Sequence, residues 1–170
     1  MHDSDDIVVR RARFPADTGV VRVLFQEYAA GLAIDLSFQD FDAELAALPG
    51  AYASPGGAVL LAECDAAAVG CVAVRPLDGP VCEMKRLYVR PAARGRGVGR
   101  RLVERICAAA RERGYTEMRL DTLASMAPAL RLYAAAGFRY IPAYGFNPIA
   151  DACYLALDLV GDPRSPPDPA

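Results

Sequence analysis

The chain has 170 residues, 54% of them apolar and 24% charged, with a formal net charge of −2. That length suits one domain with a sizeable core, and the apolar share excludes a disordered or fibrous chain. The charge balance argues against nucleic acid or an anionic membrane as main partner, and no apolar run approaches the ~18 residues that span a bilayer.

Ile7 to Arg13 alternates in part and predicts a strand ended by Phe14-Pro15. Asp17 or Thr18 offers a cap for a helix to about Leu32, with Val20, Val21, Leu24, Phe25 and Tyr28 at helical spacing. A shorter helix is expected from about Gln39 to Leu48, stopped by Pro49-Gly50. After a loop rich in Gly, Pro and Ser (49–57), strands at Ala58 to Cys64 and Ala68 to Pro76 form a hairpin around Asp65. A turn at Asp78-Gly79-Pro80 then leads to a strand over Glu83–Val89, closed by Arg90-Pro91.

Beyond a glycine-rich turn, Val98, Leu102, Ile106 and Ala110 lie four residues apart on a predicted amphipathic helix that Gly114 terminates. A strand at Glu117 to Leu123, a helix at Ala127 to Ala136 ended by Gly137, and a strand from Phe138 follow. A last strand, Ala152 to Leu159, comes after a loop containing Pro142 and Pro148. The order β-α-α-β-β-β-α-β-α-β-β implies an α/β (α+β) mixed sheet, antiparallel early, with a βαβ crossover at Glu83–Leu123. Residues 6–160 are expected to form a single domain, and the Pro-rich segment 161–170 a flexible tail.

The N-terminal MHDSDD is acidic and lacks an apolar stretch, so no secretory signal is expected and the cytoplasm is the default location. Five scattered cysteines have neither metal-ligand nor disulfide-framework spacing and read as reduced thiols. The single histidine, His2, excludes a His-based triad or a conventional zinc site, so no metal is expected. A general base, if the chain has one, is then a carboxylate or a water held by one.

The turn Arg94-Gly95-Arg96-Gly97-Val98-Gly99-Arg100 carries the strongest signal. Glycines at alternate positions leave backbone N–H groups uncovered where a helix dipole begins, which suits a phosphate or pyrophosphate. Residues 94–113 also carry seven arginines against two glutamates, a local charge suited to a compact polyanion. A dinucleotide fingerprint fails, because G-x-G-x-x-G counted from Gly95 ends on Arg100; a Walker loop fails for want of G-K-[ST].

Arg94-x-x-Gly97-x-Gly99 between a strand and a helix resembles the pyrophosphate-binding motif of the GNAT superfamily, the acyl-CoA-dependent N-acetyltransferases. Ala129-Leu130-x-Leu132-Tyr133-x-x-x-Gly137-Phe138 is similar to the helix-and-strand signature that follows in that family, and the resemblance covers roughly residues 6–160. It implies the GNAT fold, a central, largely antiparallel sheet with a βαβ crossover and flanking helices. It also implies acetyl-CoA as cosubstrate and admits a homodimer.

Residue by residue, the resemblance implies cofactor binding by the main chain of Leu87, Tyr88 and Val89, which would pair with the pantetheine arm like an added strand. The amides of Gly95, Arg96, Gly97, Val98 and Gly99 would face the pyrophosphate, with charge from Arg94, Arg96 or Arg100. Glu83 matches the strand carboxylate that acts as base in part of the family; its other reading is a strand glutamate paired with Lys85 on the same face. Tyr133 matches the tyrosine that protonates the leaving thiolate, and it also suits simple core packing. Ser125 reads as the cap of the last helix or as a residue near the thiol end of CoA. Asp121 reads as a substrate carboxylate or a strand partner. Tyr28, Asp35, Tyr52 and Tyr144 fall in segments that form the acceptor cleft in relatives, whereas Cys82 has no activating histidine beside it.

The expected activity is acetyl transfer from acetyl-CoA to the primary amine of a small-molecule or amino-acid-like acceptor by direct attack. The alternatives are a protein or peptide N-acetyltransferase and a non-catalytic acyl-CoA sensor.

Overall fold

The computed structural model describes residues 6–32 and 35–161; His2 and nearly all of the Pro-rich tail (162–170) lie outside them. Seven strands form one sheet: β1 (Val8–Arg11), β2 (Ala58–Cys64), β3 (Ala67–Asp78), β4 (Val81–Val89), β5 (Glu117–Leu123), β6 (Arg139–Ile141) and β7 (Ala152–Asp158). Among the described residues four α-helices accompany them: α1 (Thr18–Leu32), α2 (Phe41–Ala46), α3 (Val98–Glu112) and α4 (Ala127–Ala136). The strand order is β1-β2-β3-β4-β5-β7-β6, with β4 and β5 parallel and the other neighbours antiparallel. The predicted crossover is therefore β4–α3–β5, and β7 inserts between β5 and the short edge strand β6.

The central strands are buried on both faces, which explains why β2 and β3 read as nearly continuous apolar runs. Ala58, Leu60 and Ala62 of β2 pack with Val98, Leu102 and Ile106 of α3, while Val59 and Leu61 pack with Val21, Leu24 and Phe25 of α1. The four-residue spacing of Val98, Leu102, Ile106 and Ala110 is the buried face of α3. Each large side chain so buried contributes about 1.5–3 kcal/mol. No helix among the described residues is long and apolar enough to cross a membrane.

Three local expectations change. The helix predicted over Gln39–Leu48 is instead a 3₁₀ turn (Ser37–Gln39), a left-handed Asp40 at φ 56° and the six-residue α2. The left-handed residue re-aims the chain between the two turns, so one continuous periodicity never forms. Strand β3 runs past Pro76, which faces Cys82, to Asp78, with a register irregularity between Pro76 and Asp78, the kind of place where a strand tolerates a proline. Asp17 caps α1 through its carbonyl, which accepts from Val21 N–H, while its carboxylate turns back to Arg10 and to the N–H of Arg13.

Candidate active site

Strands β4 and β5 pair only where Val81–Glu83 meets Glu117–Arg119, although both strands continue. Past that point they part, and a narrow cavity of about 50 Å³ opens between Met84–Leu87 on one side and Leu120–Leu123 on the other. Backbone groups of β4 from Met84 onward thus have no strand partner on the β5 side, which is the unpaired edge that an extended ligand can complete.

A β-bulge shapes this edge. Cys71 faces Tyr88 and Ala73 faces Lys85, so Arg86 and Leu87 together oppose Val72, and Arg86 takes a left-handed φ of 62°. The extra residue puts Lys85 and Arg86 on one face. Leu87 and Val89 pack against the α3 side of the core, and Tyr88 against the α1 side. The Tyr88 hydroxyl donates to Glu27 at 3.1 Å.

The glycine turn lies beyond the end of this edge. Gly95 (φ 80°) and Gly97 (φ 77°) hold left-handed backbone, and a Cβ on either would meet nothing within 4 Å. Gly97 is the N-cap of α3, so the first amides of the helix point into open space with the positive end of its dipole. Gly99 serves another purpose: a Cβ there would lie 2.9 Å from Leu132 Cδ1, so its smallness lets α3 approach α4. The Val98 side chain is core, which leaves only its main chain for a ligand. The Arg94 Nε donates to the Val89 carbonyl at 3.1 Å, tying the turn to the end of β4. Exposed Arg100 pairs with Glu104 at 3.0 Å, and Arg96 donates to Cys64 Sγ at 3.5 Å.

Tyr133 of α4 lines the wedge cavity and packs its ring against Phe138, with centroids 5.7 Å apart. Its hydroxyl makes no hydrogen bond among the described residues, and burial pushes the phenol above its ordinary value. Ser125 does not cap α4: the N-cap is Met126, without a side-chain bond, and the Ser125 N–H donates to Asp151 at 3.2 Å. The helix start carries a Pro, which needs no acceptor for an N–H, so it is less dependent on such a cap.

A second cavity of about 240 Å³ shares Gln39, Lys85, Arg86 and Asp121 with the first. Its walls are ion pairs. Arg86, 3% exposed, forks onto Glu44 at 2.9 and 3.1 Å and donates to Gln39 Oε1 at 2.8 Å. The rings of Phe41 and Tyr28 lie 5.0 and 5.7 Å from its guanidinium carbon. Tyr52, buried edge-on to Phe25, donates its hydroxyl to the same Glu44.

Glu83 is buried, with one oxygen 2.7 Å from Arg75 and the other accepting from Tyr144 at 2.7 Å. Lys85 does lie on its face, but at 3.9 Å, and donates instead to Gln39 Oε1 at 3.2 Å. Desolvation lowers the Lys85 ammonium from its ordinary value, opposed by the charge of Glu83. Asp121 accepts from Asn147 at 3.0 Å, and Asn147 in turn receives the N–H of Ile149, fixing the late loop to β5.

Tyr28 and Tyr144 line these cavities, whereas Asp35 only closes a local turn to the Ser37 N–H. Cys82 is fully buried and burial pushes its thiol up to about 12, which makes it a poor nucleophile. Sequence reasoning missed Gln39, Glu44, Arg75, Arg86 and Asn147. Only the strand register, the folding of residues 37–52 back over β4 and the late loop tied to β5 through Asn147 bring them together.

The two cavities meet at the parting of β4 and β5. A ligand laid along the β4 edge from the glycine turn would bring its reactive end to a second ligand held among the ion pairs. Comparison with known proteins identifies the family. The model of the acetyltransferase (GNAT) family matches residues 23–138. An uncharacterized N-acetyltransferase of Schizosaccharomyces pombe is 41% identical over 161 residues, covering 94% of this chain and 99% of the relative. A GNAT acetyltransferase structure from Staphylococcus aureus superposes with a TM-score of 0.74 at 19% identity, over 90% of this chain and 99% of that one. The Salmonella typhimurium yncA structure, solved with its cofactor acetyl-CoA, gives 0.66 at 24% identity, over 96% and 99%.

Proposed function

From the premise that the chain belongs to the GNAT acetyltransferase family, we propose that it transfers the acetyl group of acetyl-CoA to the primary amine of a small, amino-acid-like acceptor. The observation that carries this reading is the junction of the two cavities at the β4–β5 wedge. Left-handed glycines with open space at Cβ fit a pyrophosphate, and the unpaired β4 edge fits a pantetheine arm.

In this proposal the amides of residues 95–99 and the charge of Arg94, Arg96 or Arg100 hold the pyrophosphate. The main chain of Leu87, Tyr88 and Val89 holds the arm, and a β4 N–H steadies the negative charge that develops on the thioester oxygen. The amine nitrogen attacks the carbonyl carbon as the C–S bond breaks. Glu83 takes the amine proton, directly or through a water, and Tyr133 gives its proton to the leaving thiolate. With both oxygens already engaged, Glu83 is held in one orientation by Arg75 and Tyr144.

Acetyl transfer to a panel of small amines, amino acids and short peptides, read by product mass, tests the reading. Acetylated small amines support it; acetylation of peptide N-termini alone makes the acceptor a protein. Tight acetyl-CoA binding with no product from any class makes the chain a sensor.

A further inference from the structure

The larger cavity is lined by three cations (Arg75, Lys85 and Arg86) and three carboxylates (Glu44, Glu83 and Asp121). Four of these six neutralise one another at short range: Arg86 with Glu44, and Arg75 with Glu83. Two are left over. The Lys85 side chain is 7% exposed, yet its one hydrogen bond goes to a neutral amide oxygen that Arg86 already occupies at 2.8 Å. Glu83, at 3.9 Å, lies beyond hydrogen-bond reach of Lys85 and has both oxygens engaged more closely elsewhere. Asp121 accepts one bond, from neutral Asn147, and has no ion-pair partner among the described residues.

A desolvated ammonium whose one hydrogen bond is to a neutral amide, and whose ion pair with Glu83 is stretched to 3.9 Å, is costly unless a closer anion completes it. A carboxylate held only by a neutral amide gains likewise from a cation. Both residues line both cavities, so they flank the junction where donor and acceptor meet. The charges that lack a close ion-pair partner are one positive and one negative, carried by neighbouring strands.

Resting on the acetyl-transfer reading above, we propose that the acceptor is a zwitterionic α-amino acid whose carboxylate is received by Lys85 and whose ammonium meets Asp121. Lys85 is then the specificity-determining residue of the acceptor site. It separates α-amino acids from amines of the same shape that lack the carboxylate.

The test compares common primary α-amino acids with their α-carboxamides as acceptors from acetyl-CoA, by product mass, in the wild-type protein and in Lys85→Met. At least one acid should exceed its carboxamide in kcat/KM by on the order of tenfold, the size of one charge-assisted hydrogen bond. In Lys85→Met the ratio should fall toward one, mainly through KM. Equal use of acid and carboxamide by the wild-type protein overturns the proposal, as does a preference that survives Lys85→Met.

Calorimetric titration of the same acids and carboxamides into the CoA-saturated protein supplies a readout independent of turnover. Product from carboxylate-free amines alone overturns the zwitterion while leaving acetyl transfer intact. Absence of product from every amine overturns acetyl transfer, and the binding comparison still decides the zwitterion: tighter binding of the acid supports it, equal binding overturns it.

Discussion

The proposed donor and acceptor sides of this molecule are built from different materials. Along the β4 edge and the glycine turn, the groups offered to a ligand are mostly main-chain ones: unpaired strand amides, left-handed glycines and the first turn of α3. Across the wedge, the second cavity is walled by side chains, in ion pairs joining residues 42 apart (Arg86 and Glu44) or 61 apart in a hydrogen bond (Tyr144 and Glu83). Backbone recognition needs glycine and a strand edge but little else, so it can stay constant while the acceptor side changes. Side-chain recognition is where specificity can be rewritten.

Substitutions can break this contrast from either side. The largest effect is expected at Gly97→Leu, which fills the open space over the first α3 amides. Losing two charge-assisted hydrogen bonds at about 1.5–3 kcal/mol each should weaken acetyl-CoA at least on the order of a hundredfold by calorimetry. The left-handed backbone should cost only about 1–2 kcal/mol of stability, so the variant stays folded. Arg86→Met attacks the other side. It strands Glu44 beside Tyr52 without its cation, and thermal and denaturant unfolding should show a loss of about 3–5 kcal/mol.

Tyr133→Phe separates binding from chemistry on the donor side. A thiolate near pKa 8.5 leaves fairly easily, so kcat should fall about a hundredfold, at the low end for general acids, with acetyl-CoA affinity unchanged. The smallest effect is a predicted absence. Because burial raises the Tyr133 phenol above its ordinary value of 10.0, the proposed proton donor stays protonated through the working range. The pH profile of kcat should therefore show no alkaline limb below about pH 10 that Tyr133→Phe removes.

The same division explains what the sequence revealed. The bounds of β2, β5 and α4 agree with the residues because each is closed by a local signal, such as Gly137 at φ 98° after α4. The glycine turn was legible because its seven residues are contiguous. Its three glycines still differ in purpose, and the close approach of Leu132 to Gly99 depends on a contact between helices. The helix expected from about Gln39 to Leu48 is shorter, Phe41–Ala46, because a left-handed Asp40 leaves no mark in the apolar pattern. Arg75, 8 residues before Glu83, was hidden by register: only the β3–β4 pairing sets the two side by side. The Arg86 bulge conceals itself likewise, since a left-handed arginine looks ordinary in a strand.

Amide-resolved hydrogen exchange with and without acetyl-CoA tests the central claim, donor recognition by main chain at the wedge, most directly. Bound acetyl-CoA should slow exchange at amides of residues 84–89 and 95–100, with little change in residues 37–52 and 142–150. Unchanged exchange along β4 and the glycine turn at saturating acetyl-CoA, or protection confined to the acceptor-side loops, would contradict it.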